Sequence, residues 1–204
     1  MVILVVGVAL AAFPGLEALG APRAAGDIAA WTEVIAAYTR LNALPGYRAR
    51  VDSPSEELTA EREVIPGRAI HELIHEPKLT LETITVGHVT RHRWIYGGTA
   101  GTWQCDSQPR TDERDPTTMR ESVLVARQTD AVIDGAAVHV VAYSWEVLVV
   151  GRYVTLRTTA YIDPTAGLPR RSVTPLRTGP SNAYTIDYYD YGAKLKIVLP
   201  ACGS

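Results

Sequence analysis

The sequence predicts an α+β fold that is mostly antiparallel β: an unclosed half-barrel of about nine to eleven strands, with an N-terminal helix and a short second helix as plug and lid. Three observations point there. One stretch, Asp27 to Leu44, carries a long helical period. Period-2 alternation recurs through most of the remaining chain, between turns built from Gly and Pro. One helix with one short companion cannot cover both faces of so many strands, so the sheet must curl around the helix. The chain has 204 residues, 47% hydrophobic and 21% charged, ordinary for a globular protein and suited to a single domain over 21–204. Twenty basic against 22 acidic residues give a net charge of −2. That balance supplies neither the basic field of a nucleic-acid binder nor a polybasic patch for anionic lipid.

Met1 to Leu16 is uncharged and dominated by Val, Leu, Ala and Ile. It is short of the roughly 20 residues a membrane-spanning helix needs and fits the apolar region of a signal peptide. Ala18-Leu19-Gly20 places small residues for a cut before Ala21, so residues 1–20 read as a signal peptide, although no Lys or Arg precedes the apolar run. No Cys stands near the cut, so the expected mature chain is exported, periplasmic or secreted, and not lipid-anchored.

Asp27 is a good N-cap, and Trp31, Val34, Ile35, Tyr38 and Leu41 follow on one helical face until Pro45-Gly46 stops the helix. A second helix is expected from Pro116 to about Ala126, with Asp115 as cap. Strands are expected where Val138, Val140 and Ala142 share a face, and where Val154, Leu156, Ala160 and Ile162 alternate with polar residues. The same pattern marks Tyr184, Ile186 and Tyr188, then Leu195, Ile197 and Leu199. Turns are expected at Gly87-His88, Gly97-Gly98, Asp134-Gly135, Asp163 to Gly167 and Tyr191-Gly192. Cys105 and Cys202, an even pair in an exported chain, read as a disulfide closing a loop of about 96 residues, with two separate thiols as the alternative.

His71-Glu72-Leu73-Ile74-His75 is a literal H-E-x-x-H. On a helix the two histidines would share one face and hold zinc, with Glu72 as general base of a hydrolase. On a strand they would sit roughly 13 Å apart, too far for one metal, and the segment would read as an edge strand with two solvated histidines. The Gly97 to Gly101 run lacks a P-loop ending, and Ser122 and Ser144 lie in no nucleophile elbow. Arg91, His92 and Arg93 read as a solvated strand face, and Asp187 and Asp190 have no evident catalytic partner. Trp31, Tyr38, Tyr47, Trp94, Tyr96, Trp103, Tyr143 and Trp145 either line a ligand cavity or pack a core.

Taken in order, several short motifs carry a resemblance. They are Leu-x-x-Leu-Pro-Gly-Tyr-Arg-Ala (Leu41 to Ala49), Val-Ile-Pro-Gly-Arg (Val64 to Arg68) and Ile-Thr-Val-Gly-His (Ile84 to His88). Gly-Thr-Trp-Gln-Cys (Gly101 to Cys105) and Val-Ile-Asp-Gly-Ala-Ala-Val (Val132 to Val138) follow. The most telling is Tyr-Ile-Asp-Pro-Thr-Ala-Gly-Leu-Pro-Arg-Arg (Tyr161 to Arg171), and the series closes on Tyr188 to Ala193 and Val198 to Cys202. The chain resembles the LolA/RseB-like superfamily, which includes periplasmic outer-membrane lipoprotein carriers, LppX/LprG-like lipid-binding proteins and sensor domains of anti-sigma-factor regulators.

The resemblance implies an open half-barrel that binds a lipid or lipoprotein acyl chain in an apolar cavity, without catalytic residue, metal or cofactor. It also places the His71 to His75 motif on a strand. Trp31, Val34, Tyr38, Trp94, Tyr96 and Tyr143 are the expected cavity wall, and Asp at Val34 or Tyr38 is expected to abolish acyl binding while the fold survives. The expected protein is a monomeric carrier or sensor rather than an enzyme. Its alternatives are a zinc-dependent hydrolase, or an envelope protein-interaction domain with no stored ligand. The carriers' lid-locking arginine finds no matching position here.

Overall fold

A computed structural model describes residues 23–105, 122–149, 152–175 and 183–203. Residues 1–20, expected as a signal peptide, lie outside them. The elements run β1 (Arg23–Gly26), α1 (Ile28–Asn42), β2 (Tyr47–Ser53), β3 (Leu58–Ile65), β4 (Ala69–Glu76), β5 (Leu79–Val86), β6 (Val89–Tyr96), β7 (Thr99–Ala100) and β8 (Gln104–Cys105). They continue with β9 (Ser122–Arg127), β10 (Ala131–Ile133), β11 (Ala136–Val149), β12 (Arg152–Asp163), β13 (Leu168–Pro175) and β14 (Ala183–Tyr189).

The described strands form one 14-stranded sheet in the order β1-β9-β11-β12-β13-β14-β2-β3-β4-β5-β6-β7, with β10 on β11 and β8 on β6. The path has two ends, so the half-barrel is open, as expected. Every pairing is antiparallel except β1 with β9. The chain meanders from β2 to β8, resumes with β9 beside the far edge strand β1, and meanders back until β14 closes on β2. That junction sets Ile186 opposite Val51 and Tyr188 opposite Ala49.

Helix α1 forms as its pattern requires. Asp27 caps it by accepting the Ala30 amide at 2.9 Å, and Ala30, Val34, Ala37 and Leu41 turn their shared face into the core. The core has two main parts on the α1 side of the sheet. Ala30, Val34 and Ala37 pack with Val123, Val125, Val141, Ala160 and Ile162. Leu41 packs with Tyr47, Ala49, Val51, Ala60, Val64, Ile186 and Tyr188, and Tyr38 touches both parts. Gly26 must be glycine: its φ is +97°, and a Cβ there would lie 2.2 Å from the Val125 carbonyl oxygen.

Three expectations are corrected. The strands exceed the expected count because β7 and β8, of two residues each, and β10, of three, are too short to show alternation. The proposed second helix from Pro116 begins outside the described residues, and its end, from Ser122, is strand β9. There Val123 and Val125 are buried and Leu124 is 63% exposed, a period of two that β-branched residues favour. Leu195, Ile197 and Leu199 alternate in burial with Lys194, Lys196 and Val198 as anticipated, but the segment lies in no ladder and runs as irregular chain.

The β12–β13 turn is built on Asp163. Its carboxylate accepts the amides of Thr165 (2.8 Å) and Ala166 (3.0 Å) and the Arg170 guanidinium (3.0 and 2.7 Å). The Ala166 amide and then Arg170 hold this carboxyl below the usual aspartate range. A depressed carboxyl contributes stability that is complete above the ordinary value of about 4 and is lost as pH falls through the folded value. Asp163→Asn is expected to cost about 1–3 kcal/mol at pH 7 and to flatten the acid limb of a Tm-against-pH profile below about pH 4. A variant profile parallel to the wild type would remove Asp163 as the source.

Candidate ligand-binding face

Residues directly opposite each other in a sheet lie on one face, so the register defines the α1 side from strand to strand. From Tyr143 the pairing runs to Thr158, and the Thr158 and Thr174 hydroxyls bond at 2.9 Å. Thr174 faces Tyr184, and Ser172 faces Ile186. Ile186 faces Val51, which faces Ala60, which faces Ile74. Ile74 faces Leu81, and Leu81 faces Trp94. One inner face therefore carries Tyr143, Tyr188, Ile70, Ile74, Leu81 and Trp94. The burial of α1 and its contacts place the helix chiefly over β1, β9, β11, β12 and β13, so the inner face of β4 to β6 extends beyond it.

The expected cavity residues fall into two groups. Trp31, Val34, Tyr38 and Tyr143 come together in the seam between α1 and the sheet. Trp31 lies 5.5 Å from Tyr143 between ring centroids, and Tyr38 meets Tyr188 edge-on at 6.2 Å. Trp94 is half-buried on the inner face of β6, and Tyr96, 59% exposed, ends that strand. Eight inter-strand steps separate β11 from β6, roughly 38 Å along the sheet. The two groups are thus opposite halves of one face rather than neighbours. Val34 is 3% exposed, so Asp there strikes the helix–sheet core itself, and the expectation that the fold survives it is withdrawn. The Trp145 side chain lies outside the described residues.

Within the seam the chemistry is dry and uncharged. Burial pushes the hydroxyls of Tyr38, Tyr143 and Tyr188 up from their ordinary values, so all three stay protonated near neutrality. Tyr188 and Ser172 share a long hydrogen bond of 3.4 Å. On the neighbouring inner face Arg62 stands opposite Glu72. Burial alone would lower its pKa, but Glu72, bonded to its Nε, and Tyr184, accepting from Nη2 at 3.0 Å, outweigh that and raise it.

The H-E-x-x-H segment is strand β4. His71 and His75 point to the outer face and Glu72 to the inner one, the geometry that excludes a shared metal. The strand is not an edge: it lies between β3 and β5. His75 is solvated, with Thr80 at 3.1 Å, but His71 is half-buried, 2.9 Å from Glu82 and 3.6 Å from Glu63. Among the described residues no group of three or more His, Cys, Asp or Glu is placed to hold a metal ion. Nor are Arg91, His92 and Arg93 one solvated face. His92 lies on the inner side opposite Thr83, while Arg93 bonds Glu82 at 2.6 Å and stacks on Trp103 at 4.6 Å.

No protein-family model and no curated protein matches the sequence. The solved structures are more informative. LprF from Mycobacterium bovis superposes with a TM-score of 0.56 at 16% identity, over 89% of this chain and 100% of that one. Lipoprotein LppX from Mycobacterium tuberculosis superposes at 0.57 and 11% identity, over 85% of this chain and 100% of that one. The chain has the LolA/RseB-like fold. At such identities the likeness carries the architecture and not the ligand. Sequence reasoning passed over the inner-face residues Ile70, Ile74 and Leu81. Their signal was present, since Ile70, Glu72 and Ile74 alternate along β4, but the neighbouring H-E-x-x-H drew the reading toward metal chemistry.

Proposed function

We propose that this protein is an exported carrier or sensor that holds a lipid or lipoprotein acyl chain against the inner face of its half-barrel. The observation that carries the reading is the inner face of β4 to β6, where Ile74, Leu81 and Trp94 stand in register, with Ile70 on the same face, and extend past the helix that covers the rest. A buried methylene contributes about 0.8 kcal/mol, so ten of them reach about 8 kcal/mol, a micromolar affinity from walls alone. No reacting group is required. The ligand half is β4 to β6, and the α1 seam is its packed continuation.

Native mass spectrometry of protein purified gently from its own envelope fraction is expected to show adducts of lipid mass. Leu81→Asp, on the open half and away from the α1 core, is expected to weaken binding of a fluorescent acyl probe at least about tenfold while the circular dichroism spectrum is kept. An unchanged probe affinity in the folded variant would overturn the assignment of this face.

A further inference from the structure

The chain after β14 crosses the sheet instead of joining it. Its start is tied at the head of β2, where the Gly192 amide donates to the Gly46 carbonyl at 2.9 Å and a Cβ on Gly46 would meet Leu195 Cδ1 at 3.1 Å. Its end is tied at β8, by the Cys105–Cys202 disulfide and by the Gly203 amide on the Trp103 carbonyl. From β2 through β3, β4, β5 and β6 to β8 the strands are spaced over roughly 24 Å. The chain from Ala193 to Cys202 reaches about 30 Å at full extension. This strap is therefore nearly taut and runs across the strands, which is why its alternating pattern finds no ladder. Leu195, Ile197 and Leu199 are half-buried, with Lys194, Lys196 and Val198 exposed between them. No residue beyond Tyr191 belongs to the described buried clusters. Both cysteines are exposed, and an exposed disulfide is of the labile, reducible kind.

We propose that Cys105–Cys202 is a redox latch, which a dithiol reductant opens in the folded protein to release the strap over residues 193–203 while the sheet stays intact. A thiolate of the dithiol attacks one latch sulfur, the S–S bond breaks, and the displaced cysteine thiolate takes a proton. The second thiol of the reductant then displaces the mixed disulfide. The dithiol leaves oxidised to its own disulfide, and Cys105 and Cys202 end as two thiols. With the covalent tie open, the far end rests on local hydrogen bonds, set against the conformational freedom of about ten ordered residues. Release bares Leu195, Ile197 and Leu199 as one apolar strip on a free tail. The cores built on Val141, Ile162 and Ile186 lie outside the strap and keep their packing. The switch is independent of which ligand the half-barrel holds.

The chain's three lysines, Lys78, Lys194 and Lys196, make a lysine-specific endoproteinase the probe. A protease must draw several residues into its cleft, which a taut strap resists and a free tail allows. Cleavage after Lys194 and Lys196, read by mass after quenching in denaturant with reductant, is expected to run at least about tenfold faster in protein treated with dithiothreitol than in oxidised protein. Lys78, in the short turn between β4 and β5, is the control and is expected to keep its rate. Reoxidation is expected to restore the resistance of the strap. The double variant Cys105→Ser, Cys202→Ser is expected to be cut at the reduced rate with no reductant present. Equal cleavage of the strap in oxidised and reduced protein would overturn the latch. A parallel rise at Lys78 would also overturn it, since that marks loss of the sheet, and so would a disulfide that dithiothreitol opens only in urea. The reduced and reoxidised wild-type protein carries the comparison by itself, so the test stands even where the double variant does not fold.

Discussion

Replacing both Cys105 and Cys202 by Ser is expected to lower the unfolding free energy by about 4 kcal/mol. The disulfide joins residues 97 apart in sequence, and loop-closure entropy of that length is worth between about 4 and 5 kcal/mol in the chain-entropy model. Its structural context agrees with a large effect. The chain after β14 is tied at its start by the Gly192 amide donating to the Gly46 carbonyl at 2.9 Å. It is tied at its end by the disulfide and by the Gly203 amide donating to the Trp103 carbonyl at 3.1 Å. Between those ties Leu195, Ile197 and Leu199 are half-buried without the ladder hydrogen bonds that would hold a strand. Urea unfolding followed by circular dichroism is expected to show a lower midpoint and a larger m-value, because the unfolded chain without the cross-link exposes more surface. Indole fluorescence should change as well, because Trp103, 8% exposed and stacked on Arg93, sits beside the bond. A loss below about 1 kcal/mol would mean that the cross-link constrains the unfolded chain far less than its span implies.

Leu41→Ala is expected to cost about 3 kcal/mol. Leu41 is 1% exposed and among the largest fully buried side chains. It joins the last turn of α1 to Tyr47, Val51, Val64 and Ile186 across β2, β3 and β14. Leucine truncation in a core removes transfer free energy and leaves a cavity, together about 2–5 kcal/mol. The control is Val198→Ala at a position 62% exposed, where the expected change lies within about 0.5 kcal/mol. Equal effects at the two positions would show that α1 does not anchor the β14–β2 junction through Leu41.

Much of the architecture was legible locally. Asp27, the i, i+3, i+4, i+7 face and Pro45-Gly46 bounded the helix because capping, periodicity and the breaker are all near-neighbour physics. The turns at Gly97-Gly98 and Asp163 to Gly167 were legible for the same reason. The Cys105–Cys202 pairing was legible from parity and the expected export. Strand β9 was misread because a short apolar run carries no decisive period, and its strand character comes from pairing with β1 and β11, both distant in sequence. The tail after Gly192 failed the other way: it alternates like a strand but finds no edge to join.

The candidate site divides along the same line. Its residue types were readable: aromatics on the helix, an apolar period in the strands, an H-E-x-x-H whose meaning depended on local conformation. The alternation along β4 already puts Glu72 opposite His71 and His75 once a strand is assumed, since successive side chains of a strand point to opposite faces. What required the tertiary structure was adjacency. Which strands lie under α1, that Trp94 shares a face with Tyr143 yet stands eight strand steps away, and that Trp31 meets Tyr143 while Tyr38 meets Tyr188 are consequences of sheet order. Sheet order is set by pairings between segments far apart in the chain, such as β14 with β2, and no local pattern encodes them.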